Sequence, residues 1–390
     1  MCSPGQGGHG AATTTPKIAQ GWQWRRDERT VINDPLLTGI VTAALQAGSS
    51  DIHLRPGQPP FIRAAGRMGS IDAPPLSADQ VRACLINSAG TDNFEHATSR
   101  EYSFDLPGLA RLRASAFLSG GRWSLSLRLV PHTIPSFVDL RLPAVIKPLA
   151  TPRPGMLLIT GPTGAGKSTT AASILQAMTQ QQRLHLVTIE DPIEYRFNAP
   201  SSCVTQRELG RDAGSMHEAL TQALRMDPDV LFIGEIRDEE AFETALHAAE
   251  TGICVVATFH TQSALHTVTR ATSMGKAEQQ GALRERFAEV LRGVVSQRLL
   301  PRRGVNMQRV VCTEVLVNNY SVKEAIRDAA RHKSIPQVME RSPDQGMHTF
   351  DQSLLSLVTA GLVEAEIASS FAVSPTNLRR NLQMAGIAVQ

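Results

Sequence analysis

Hydrophobic and polar positions change period along the chain. Leu36, Leu37, Ile40, Val41 and Leu45 recur at the spacing of one helix face, and the following Gly48-Ser-Ser-Asp51-Ile-His53-Leu alternates as a half-buried strand does. Strand-like runs come at Phe61-Ile-Arg, 111–117 and 123–130, so residues 34–130 are expected to form an α+β module. Prolines at 131, 135, 143, 148, 152 and 154 then mark 131–150 as a linker. Over 151–320, near-continuous apolar runs (155–160, 184–190, 229–234, 254–259, 309–317) alternate with helical stretches (167–180, 215–226, 239–251, 263–272). That pattern predicts an α/β fold, a parallel sheet covered on both faces, with its ligand at the carboxyl ends of the strands. Residues 321–390 read as a helical extension. The Gly-, Thr- and Pro-rich residues 1–33, with Trp22 and Trp24, read as a disordered tail whose tryptophans dock on the protein's own surface.

Composition narrows the function classes. A net charge of +3 over 390 residues and 5% aromatics argue against a dedicated nucleic-acid channel, which wants basic grooves and stacking platforms. The five cysteines, at 2, 84, 203, 254 and 312, form no C-x-x-C pair, so neither a zinc module nor a disulfide framework is encoded. No apolar stretch approaches the roughly 20 residues of a membrane helix. The expectation is a cytoplasmic protein without direct membrane insertion, reaching any membrane through a partner.

The candidate chemistry begins at Gly161-Pro162-Thr163-Gly164-Ala165-Gly166-Lys167-Ser168-Thr169, a phosphate-binding loop set between an apolar strand and a helix-forming stretch. Glycines at 161, 164 and 166 let backbone N–H groups curl toward an anion, and side chains there are expected to fill the space the phosphate oxygens need. Lys167 places a charge near the β- and γ-phosphates, and the Ser168 hydroxyl suits Mg²⁺. The ligand implied is a nucleoside triphosphate with Mg²⁺, and ATP is what the resemblance given below implies. Hydrolysis also needs carboxylates. The strand at 229–234 runs into Glu235, and Glu190, Asp191 and Glu194 cluster at the end of another strand. The residues alone leave open which of Glu194 and Glu235 acts on the attacking water. His260 follows the strand 254–259 and can contact the γ-phosphate. Arg111, Arg113, Arg128 and Arg270 are candidate phosphate-sensing groups.

With these boxes in place the chain resembles the secretion ATPase superfamily of type II secretion and type IV pili, most of all its PilT retraction branch. The resemblance rests on 161–170 as Walker A, 188–195 as the Asp box, 227–238 as an atypical Walker B and 259–264 as the His box. Supporting segments lie at 50–54, 102–108, 248–252 and 295–301. It implies a homohexameric ring of subunits with a PAS-like N-terminal domain and a RecA-like ATPase domain. Such a ring hydrolyses ATP between the two and works on an inner-membrane pilus platform protein from the cytoplasmic side. Under it Lys167, Ser168 and Glu235 serve phosphate and magnesium, Glu194 is the general base, and the four arginines are finger candidates. A conjugation or type IVB secretion ATPase of the same branch is the alternative, and a nucleic-acid translocase a more remote one. Departures are Ile253, where the family carries a second histidine, and Ala325-Ile-Arg-Asp-Ala-Ala-Arg-His332, which keeps only part of a retraction-branch helix. The segment 346–354 matches that branch closely, and the four-cysteine module of the assembly and export relatives is missing.

Overall fold

The computed structural model describes residues 34–64, 67–94, 97–130, 133–304 and 308–387. The tail 1–33 with its two tryptophans lies outside them. Among the described residues thirteen strands are arranged in two sheets: β1 (Ser49–Leu54), β2 (Phe61–Ala64), β3 (Arg67–Ser70), β4 (Ser99–Leu106), β5 (Ala110–Ser119) and β6 (Arg122–Val130), then β7 (Gly155–Thr160), β8 (His185–Glu190), β9 (Cys203–Glu208), β10 (Val230–Ile233), β11 (Cys254–Phe259), β12 (Leu291–Pro301) and β13 (Arg309–Val317).

The first sheet is antiparallel in the order β3-β2-β1-β6-β5-β4. Helix Pro35–Gln46 packs on it through Leu37, Ile40, Val41 and Ala44, because its apolar stripe repeats with the helical period. Asp34 starts that helix by accepting the Leu37 N–H at 2.9 Å. A second helix, Ala78–Ala89, opens with a capping box of Ser77 and Gln80.

The second sheet runs β13-β12-β7-β11-β10-β8-β9. Its central strands are buried on both faces, and their alternate residues enter two different cores. Met156 and Leu158 join the core that holds Phe242 and Phe287, whereas Leu157 and Ile159 join the one built around Ile174, Leu175 and Met178. The expected all-parallel sheet needs one correction. β12 and β13 are antiparallel, since only seven residues separate them and a parallel crossover needs a dozen or more.

Part of the stretch expected as a linker packs into the second domain. Ile146, Leu149 and Ala150 are buried in the core that holds Leu157 and Ile174. Beyond β13 the helices Tyr320–Arg327, Ile335–Glu340, Phe350–Thr359, Ala365–Phe371 and Pro375–Met384 follow. The last three close over Leu300, Val310 and Cys312 of the β12–β13 hairpin.

Candidate nucleotide site

The carboxyl ends of β7, β8, β10 and β11 face one cleft of about 980 Å³, and residues of β1, β5 and β6 in the first sheet form its opposite wall. After β7 the chain curls through Gly161, Gly164 and Gly166 with φ of 147°, 77° and 86°, then enters helix Lys167–Gln181. Thr163, Gly164, Gly166, Lys167, Ser168 and Thr169 line the cleft. The protein itself constrains these glycines differently. A Cβ on Gly161 would collide with the Gln297 carbonyl oxygen, whereas one on Gly164 would meet no protein atom within 4 Å. Gly161 therefore answers to a close approach by β12 as well as to its positive φ, and within the protein Gly164 answers to its positive φ.

Lys167 is buried at the base of the loop, where its ammonium donates to the carbonyls of Gly161 at 2.9 Å and Pro162 at 3.1 Å. Burial pulls its pKa below the ordinary lysine value, against the opposing pull of Glu235 and Glu194. His260 bridges the two boxes. Its Nδ1 lies 3.3 Å from the Lys167 ammonium and its Nε2 3.0 Å from Glu235 Oε1. Arg237 donates to the other Glu235 oxygen at 2.9 Å and lies 3.8 Å from Asp191.

Beyond β8, the Asp191–Pro192 peptide is cis and Glu194 lines the cleft, half-buried. Glu190 differs from its neighbours. Fully desolvated, its carboxyl is pushed up to about 7, although Thr188 at 2.7 Å and Gln206 at 3.2 Å both donate to it. The segment after it is splinted by β9, where Gln206 donates to the Tyr195 carbonyl at 2.8 Å and Glu208 accepts the Ile193 N–H at 3.1 Å. The Tyr195 hydroxyl meets Thr169 of the loop helix at 2.9 Å.

Of the four candidate arginines, the fold brings Arg113 and Arg128 to the cleft wall, paired with Glu101 and Asp51, both at 2.9 Å. Arg111 and Arg270 do not line it. Arg111 is buried and bound to Asp105, Glu208 and the Ile193 carbonyl, and Arg270 reaches toward the Arg237 carbonyl. Ile253, partly buried, packs against the core that holds Phe242.

Sequence reasoning missed several contributors. Gln297 of β12 donates to the Ala165 carbonyl at 2.7 Å and so underpins the loop from a strand the periodicity did not reveal. A buried hydroxyl chain, Ser296–Thr160 at 2.8 Å and Thr261–Thr267 at 2.7 Å, joins the ends of β7 and β11 to helix Ala264–Ser273. The signal for Gln297 was the family-like segment 295–301. Arg237 lay inside the Walker B-like segment 227–238, whereas for Gln206 and Glu208 the chain carried no local signal.

Residues 135–345 match the family model described as type II/IV secretion system protein. The chain belongs to that family. This family member is 36% identical over 344 residues to the type IV pilus retractation ATPase PilT of Pseudomonas aeruginosa, covering 87% of this chain and 99% of that one. It is 39% identical over 313 residues to a twitching motility protein of Neisseria gonorrhoeae, covering 79% and 83% of the two chains. Among solved structures, the pilus retraction motor PilT with bound ADP superposes with a TM-score of 0.81 at 37% identity, over 88% of this chain and 99% of that one. The chain is thus a PilT-like secretion ATPase homologue with that ATPase fold. Among the described residues no helix is long and apolar enough to cross a membrane.

Proposed function

We propose that this chain is a motor ATPase that hydrolyses ATP to ADP and phosphate and drives retraction of a type IV pilus. The observation that carries this reading is the convergence of Lys167, Glu194, Glu235 and His260 on one cleft, whose far wall holds Arg113 and Arg128. The similarity to PilT over nearly the whole of that protein supports the choice of machine.

In this reading the loop 161–169 cradles the triphosphate with backbone N–H groups and the start of helix Lys167–Gln181. Lys167 supplies charge at the β- and γ-phosphates. Ser168 and Glu235 both line the cleft and offer the hard oxygen donors that Mg²⁺ prefers. When bound, Mg²⁺ neutralises the phosphate oxygens. Glu194 accepts the proton of the attacking water, and His260, between Lys167 and Glu235, holds both in register with the phosphate end. Arg113 and Arg128 provide finger charge as the two sheets close.

The first sheet with its helices is a PAS-like domain over 34–130 and the second a RecA-like domain over 151–320, assembled as a homohexamer on the cytoplasmic side of an inner-membrane platform protein. ATP affinity that differs between open and closed arrangements converts hydrolysis into work. The test is phosphate release by the wild-type chain and by Glu194→Gln, together with binding of a fluorescent ATP analogue. Turnover should vanish in the variant while binding persists, and surviving turnover removes Glu194 from the chemistry. In a deletion strain, excess surface pili support retraction, and absent pili point to an assembly motor.

A further inference from the structure

β5 presents Arg111 and Arg113 on one face, two residues apart, but to different ends. Arg113 reaches the cleft, whereas Arg111 is 4% exposed and donates in three directions. One guanidinium nitrogen binds Asp105 on the neighbouring strand at 2.9 Å, one binds Glu208 at 3.2 Å, and Nε binds the Ile193 carbonyl at 3.3 Å. Glu208 is itself buried, and the oxygen that meets Arg111 also accepts the Ile193 N–H at 3.1 Å. Ile193 is therefore gripped on both its polar groups, and the next residue is Glu194. Asp105 and Arg111 belong to the first sheet, while Glu208 ends β9 of the second and Ile193 lies in the loop that follows β8.

We propose that Arg111 is a positioning residue for hydrolysis: docked between Glu208 and the Ile193 carbonyl, it holds Glu194 in place only while the two sheets are together. Separation of the sheets would take the guanidinium away from Glu208 and the Ile193 carbonyl and open both to water, so that the segment carrying Glu194 keeps only the Glu208 bond to the Ile193 N–H there and is freer to move. Domain closure thus places the base, and opening withdraws it. The inference rests on the reading of Glu194 given above.

The test uses the full chain as wild type, Glu194→Gln, Arg111→Gln, Arg111→Lys, Glu208→Gln and the double variant Arg111→Gln/Glu208→Gln, with kcat, KM and fluorescent-ADP affinity measured for each. Arg111→Gln should lower kcat by on the order of tenfold to a hundredfold, the scale of an ångström-level misplacement, and leave KM and ADP affinity within about twofold. Arg111→Lys, which keeps the charge opposite Glu208, should recover part of kcat. The double variant should be no worse than Arg111→Gln, because the carboxylate left without a cation is gone. Should Arg111→Gln fail to fold, Arg111→Lys and Glu208→Gln carry the same test. A wild-type kcat in these variants overturns the proposal, as does a loss confined to KM and ADP affinity, which would make Arg111 a phosphate contact. Wild-type protein without turnover, or Glu194→Gln with it, overturns instead the reading on which the proposal rests.

Discussion

Replacing Glu190 with Gln should change how stability depends on pH, and the size of the effect follows from the burial of one carboxyl. In the folded chain Glu190 is desolvated and titrates at about 7, against 4.5 for an ordinary glutamate. A folded pKa above the unfolded one means the native state holds its proton more tightly. The associated stability is fully present below pH 4.5 and is lost as pH rises through 7. At 1.36 kcal/mol per unit, the difference amounts to about 3 kcal/mol between pH 4 and pH 8. Gln keeps the shape and an acceptor oxygen for Thr188 and Gln206 but carries no titrating proton. Urea unfolding of wild type and Glu190→Gln at several pH values isolates the term, since every other titrating group contributes to both proteins and cancels in the difference. The variant should gain on the wild type by about 3 kcal/mol between pH 4 and 8, with most of the gain between pH 5 and 8. A difference that stays flat across that range would refute the assignment of a neutral buried carboxyl at this position.

Gly161→Ala should destabilise the fold more than Gly164→Ala, because both replace a glycine of positive φ but only the Gly161 Cβ would also collide with the Gln297 carbonyl. Overpacking of this kind costs about 1–3 kcal/mol, read by urea unfolding of the two variants. Equal losses of stability for the two variants would contradict the close approach of β12. Phe242→Ala should lower unfolding stability by about 3–5 kcal/mol, as Phe242 is fully buried and packs edge-on against Phe259 and Phe287 with ring centres 6.0 and 5.7 Å away. A loss under about 1 kcal/mol would mean the core collapses around the gap.

Much of this molecule was legible in contiguous residues. The loop 161–169 between strand and helix, the acids at the ends of β8 and β10, and His260 after β11 lie where their flanking apolar runs place them, because a strand buried on both faces announces itself as an unbroken hydrophobic segment. β3 and β9 gave no such signal. The first is exposed throughout and the second reads Cys-Val-Thr-Gln-Arg-Glu, with a buried residue only at its end. Edge strands pair through backbone groups, which no side-chain period reports.

What the order of residues determined by itself was the local chemistry: glycines able to curl, a lysine and serine at a helix start, and carboxylates at strand ends. What the tertiary structure decided was which distant groups stand behind them. Gln297 lies 132 positions from Ala165, and Arg111 lies 97 positions from Glu208. Such pairings follow from strand order and sheet docking, which are set by the burial of whole faces and leave no trace in the spacing of neighbouring residues.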